Sequence, residues 1–155
     1  MFRKSLVGLV FTVFLFGSVA ATPAFAVELE GSGTVHAEGS GVATIQGHGQ
    51  VWAGGCPASA VACTLAVHDN ANPGENPVVR IQGYGWMQKR GDWYIYHGFD
   101  GSALVAGEDI TVRLAGHHIS LTASGTGQAT LRGRGTYSVN GGPILYWPAT
   151  VKFGS

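Results

Sequence analysis

The stretch from Gly31 to Gly55 leaves few ways of folding open. Its odd positions, Gly31, Gly33, Val35, Ala37, Gly39, Gly41, Ala43, Ile45, Gly47, Gly49, Val51, Ala53 and Gly55, are all small or apolar. Its even positions from Ser32 to Gln50 are polar, Val42 apart. A period of two marks strands with one buried face. A second period is laid over the first. Gly-X-Gly recurs at 31, 39 and 47, eight residues apart, and returns at Gly125-Thr126-Gly127 and Gly133-Arg134-Gly135. A two-residue hairpin loop at each glycine pair would swap the parity of the buried face. A three-residue loop, a strand bending at its glycines, or a solenoid corner would keep it.

The expected fold is all-β: a small glycine-punctuated β-barrel or β-sandwich of mostly antiparallel strands, with a β-solenoid as the alternative. The punctuated strands are loosely similar to those of secreted β-helix proteins. The octads stop between residues 55 and 125, however, which weighs against a regular solenoid. The 25 glycines add no side chain to a core, so large residues on facing strands must cover the gaps. Abundant glycine and β-branched residues argue against any substantial helix.

Residues 1–26 read as a Sec-type signal peptide. Arg3 and Lys4 form a positive start, Leu6 to Phe16 is an almost unbroken apolar run, and Ala24-Phe25-Ala26 supplies small residues for cleavage. The expected mature chain, Val27 to Ser155, is one all-β domain by length, with no later segment apolar enough to span a bilayer as a helix. Without Arg3 and Lys4, the nine basic residues fall to seven, against nine acidic. That balance carries no footprint for nucleic acid. Export predicts an oxidising compartment, periplasmic or extracellular. There Cys56 and Cys63, close in sequence, are expected to form a disulfide.

Asp69 to Pro77 reads as a loop rich in Asn, Pro and Gly. Asp69, Asn70, Asn72 and Glu75 are candidate calcium oxygens, although their spacing does not match an EF-hand loop. Val78 to Phe99 reads as an aromatic hairpin with a three-residue loop, Lys89-Arg90-Gly91. That loop pairs Gln88 with Asp92, Met87 with Trp93, Trp86 with Tyr94 and Tyr84 with Tyr96. It gathers Tyr84, Trp86, Tyr94 and Tyr96 on one face, the candidate binding residues. Such rings stack against sugars or another subunit when exposed, and form core when covered by the 54–77 loop. Arg90-Gly91-Asp92 matches an adhesion tripeptide, but a hairpin turn alone accounts for it. Gly107-Glu108 and Gly116-His117 read as further turns, and Pro143 to Phe153 as a closing edge strand.

No catalytic motif appears. There is no Gly-X-Ser-X-Gly elbow, His-Glu-X-X-His or phosphate loop, and the histidines do not cluster by spacing. The chain is expected to be a non-catalytic structural or surface-interaction module of the cell envelope, without metal or cofactor. The expected partner is a second copy or a cell-surface component such as a polysaccharide. A carbohydrate-binding module is the alternative, with a secreted hydrolase behind it.

Overall fold

A computed structural model describes residues 26–56 and 63–147. The expected signal peptide up to Phe25, the residues between Cys56 and Cys63, and the expected closing strand beyond Trp147 lie outside these residues. The strands are β1 (Ala26–Gly54), β2 (Cys63–Asp69), β3 (Val78–Gln82), β4 (Trp86–Arg90), β5 (Trp93–Phe99), β6 (Ser102–Val139) and β7 (Leu145–Tyr146). No helix occurs among the described residues, and every strand pairing is antiparallel. The all-β, antiparallel expectation holds. The solenoid alternative does not, because a solenoid stacks parallel coils. Nor is a barrel closed: the strand path β1-β6-β2-β5-β4 ends on β4.

Two long strands dominate. Along one edge, β1 runs antiparallel to residues 102–132 of β6; along its other edge it pairs with residues 120–139 of the same strand. Val35 and Val51, sixteen residues apart, therefore both pair with Ala123, and Gly31 and Gly47 both pair with Gly127. The ribbon of β1 and β6 coils back on itself with an offset of two octads. Glycine then meets glycine in neighbouring strands: Gly33 and Gly49 flank Gly125, Gly41 faces Gly133, and Gly39 faces Gly135.

The octads mark corners. At Gly49, with φ at +142°, an added Cβ would run into the Ser124 carbonyl and come within 2.8 Å of the Gly125 Cα. L-residues rarely adopt that backbone region, and none fits against a backbone so close. Between corners the apolar pairs Val35/Ala37, Ala43/Ile45 and Val51/Ala53 point inward. They pack in one cluster with Leu114, Leu121 and Leu131 of β6 and Leu65 and Val67 of β2. The inward faces of this one antiparallel sheet gather around a single core, as a sandwich-like fold does. Each fully buried Leu stabilises the fold by about 1.5–3 kcal/mol relative to exposure.

The expected turns at Gly107-Glu108 and Gly116-His117 are instead bulges in one continuous strand. From Gly49 to Gly47, β1 advances two residues while β6 advances three, Gly107 to Ile110. The same happens between Gly41/Gly116 and Gly39/Ile119. An extra residue switches the parity of the buried face. The core set of β6 accordingly passes from Ala103 and Val105 to Ile110, Val112 and Leu114, then to Ile119, Leu121 and Ala123. His118 takes φ 56° in the second bulge, and its N–H donates to Ser40 Oγ at 3.3 Å.

Cys56 and Cys63 are bonded, with Cα atoms 5.7 Å apart. Both are buried, so the staple joins the end of β1 to the start of β2 inside the core. Gly116 makes room for it, since a Cβ there would overlap Cys63 Sγ. At the other end, only Leu145–Tyr146 of the expected closing strand pairs with β6 among the described residues. Trp147 is buried beyond it and donates its indole N–H to the Thr136 carbonyl at 2.9 Å.

Candidate functional site

The β4–β5 hairpin turns on two residues, not three. Arg90 pairs with Trp93, leaving Gly91 and Asp92 as the loop. Gly91 has φ 61° and Asp92 does not share the left-handed region. That is a type II′ turn, whose twist matches that of the strands. The partners of β4 move by three residues from the expected register, and an odd shift exchanges the faces. Trp86 lies opposite His97, Met87 opposite Tyr96, Gln88 opposite Ile95 and Lys89 opposite Tyr94. The four aromatic residues expected on one face are thus divided: Tyr94 and Tyr96 face inward, and Trp86 faces outward.

The inner group is structural. Tyr94 and Tyr96 pair with Val67 and Leu65 of β2 and continue the core face. The loop after β2 crosses over them. Tyr94 O–H donates to the Gly74 carbonyl at 2.6 Å, and Asn76 Nδ2–H donates to the Tyr96 oxygen at 2.7 Å. Tyr96 is only 3% exposed, and Tyr84 meets its ring edge-on at 5.1 Å. Burial raises the Tyr96 hydroxyl above its ordinary pKa; the Asn76 hydrogen bond lowers it in part, while the neighbouring Tyr84 and Tyr94 raise it. Lys89 folds back along the same face, donating to the Gly74 carbonyl at 3.2 Å with its ammonium 5.0 Å from the Tyr94 ring centre.

Two of the candidate calcium oxygens are engaged within the protein: Asp69 Oδ1 accepts the Asn72 N–H at 2.9 Å, and Asn70 Oδ1 lies 2.6 Å from His68 Nδ1 and accepts the Thr111 hydroxyl at 3.4 Å. Among the described residues no three His, Cys, Asp or Glu side chains gather into a metal-binding group.

The outer face is different. Trp86 is 56% exposed, yet its ring has a fixed seat: it stacks on His97 with centroids 4.0 Å apart and planes 17° from parallel. His97 Nε2 donates in turn to Gln88 Oε1 at 3.2 Å. One rung along, Gln88, Ile95 and Ala66 lie side by side; the next rung is Arg90, Trp93 and His68, with the Trp93 and His68 rings 5.2 Å apart. The result is an open sheet face of rings interleaved with hydrogen-bonding groups, ending on β4, where the strand path stops. His97, Ile95, Trp93 and His68 were not among the expected site residues. Their signal is the alternation Trp93, Ile95, His97, legible within the strand itself; the two-residue turn adds Trp86 to their face.

Compared with known proteins, the chain matches no family model, no curated protein and no solved structure.

Proposed function

We propose that this chain is an exported, non-catalytic interaction module of the periplasm or cell exterior, working through the outer face and free edge of the β4–β5 hairpin. One observation carries the reading: Trp86 is more than half exposed while its ring is held by His97. A large apolar ring fixed in solvent offers contact area with little left to order on binding. The signal anatomy and the buried disulfide support export.

A carbohydrate ligand is the second reading. Gln88 and His97 beside the indole supply the amide and imidazole that sugar hydroxyls bond to, next to a ring face that a pyranose stacks on. The test is retention of the exported protein on insoluble envelope polysaccharide. Trp86→Ala should abolish it with an unchanged melting temperature. Trp52→Ala, which removes another exposed tryptophan on β1 (48%), should leave it intact. Equal retention of both variants and wild type rejects carbohydrate as the ligand of this face.

A further inference from the structure

We infer that β4 pairs antiparallel with β4 of a second copy, in a single register centred on Gln88. This names the partner for the interaction surface proposed above and rests on that reading. Among the described residues nothing pairs with the outer edge of β4, and all five of its residues are exposed. In a two-residue hairpin the residues flanking the turn bond to each other. The backbone groups of Arg90 and Gln88 therefore point at β5, and those of Met87 and Lys89 point out.

Only three antiparallel registers bring outward groups face to face. One sets Lys89 against Lys89 of the other copy, which like charge disfavours. One sets Met87 against Met87 and leaves each Lys89 opposite Gly85, which lies just before β4. The third sets Met87 against the other copy's Lys89 twice over, and it alone lets all the outward groups of both residues pair between strand residues. On the outer face that register places each Arg90 against the other copy's Trp86, a guanidinium against an indole, with the two Gln88 amides meeting on the two-fold axis. Edge lysines usually deter such pairing. Lys89 is instead drawn back over Tyr94 and the Gly74 carbonyl, which leaves the edge open.

The experiment is sedimentation of the exported, purified chain over a concentration series. The wild type should move from one to two chains' mass as concentration rises. Met87→Lys opposes lysine to Lys89 at both ends and should weaken association roughly tenfold or more. Met87→Lys with Lys89→Glu turns both contacts into opposite-charge pairs and should restore it. Circular dichroism of each variant reports folding. Gln88→Cys, a surface change, gives a reading independent of the charge variants: it should oxidise to a covalent dimer, while Arg90→Cys should not. A wild type that stays monomeric, or a dimer indifferent to Met87→Lys and not linked by Gln88→Cys, overturns the pairing. If that occurs while Trp86→Ala still abolishes envelope retention, the interaction-module reading stands and only the second copy is wrong as partner.

Discussion

Gly49 and Gly125 face each other so closely that neither can carry a side chain. A Cβ on Gly49 would lie 2.8 Å from the Gly125 Cα, and one on Gly125 would lie 2.9 Å from the Gly49 Cα, each also striking a neighbouring carbonyl. Gly49→Ala should therefore cost about 3 kcal/mol or prevent folding, from backbone strain and overlap together. Gln50→Ala, one residue on and exposed, should stay within about 0.5 kcal/mol. Urea titrations of the two variants compare them directly. Equal midpoints would mean that the two strands do not meet at these glycines.

The disulfide closes a short loop but lies in the core. Cys56→Ala with Cys63→Ala should lower stability by about 2–3 kcal/mol through chain entropy, with some repacking beside Gly116 added. Reductant should shift the wild-type urea midpoint comparably and leave the double variant unmoved. A native protein that reacts with thiol reagents before unfolding would contradict the bond.

Burial raises the hydroxyls of both Tyr96 and Tyr137 above the ordinary tyrosine pKa. The unfolded chain then loses these protons first as pH rises. Stability linked to the neutral hydroxyls is whole below about pH 10 and is lost as pH climbs through the folded values. Melting temperature should fall across that alkaline range, while tyrosinate absorbance should show a late-titrating fraction until unfolding. Asn76→Ala removes the donor that favours the Tyr96 phenolate and should delay that fraction further. Tyrosines that all titrate together near pH 10 in the folded state would contradict the burial.

Truncation should separate the two sides of the hairpin. Tyr96→Ala empties a core position and should cost about 3–5 kcal/mol. Trp86→Ala removes an exposed ring and should cost well under that. Thermal melts of both variants check this, and similar losses would place Trp86 in the core.

Much of this was open to reading in the chain itself. The alternation from Gly31 to Ala53 picks out the buried face of β1, and two nearby cysteines in a chain expected to be exported point to a bond. The meaning of the octad was not readable locally, because it is half the offset between the two pairings of β1 with β6 and needs the partner strand. Gly107 and Gly116 suit a turn as well as a bulge; the parity change from Val105 to Ile110 and from Leu114 to Ile119 is what separates them. At the hairpin, Lys89-Arg90-Gly91 and Gly91-Asp92 are both good loops. The two loops differ in what they set beside Tyr96 and Tyr94, which carry the core face next to Leu65 and Val67: the shorter one places Met87 and Lys89 there and turns Trp86 to the other face.

The functional account stands on that register, since it alone puts Trp86 on the open face. Cross-strand proton contacts in a nuclear Overhauser spectrum of the labelled protein measure it. The account predicts backbone contacts between Met87 and Tyr96 and between Lys89 and Tyr94, with the Trp86 indole against the His97 imidazole. Contacts of Trp86 with Tyr94 and of Met87 with Trp93 would contradict it and return Trp86 to the face of the buried tyrosines.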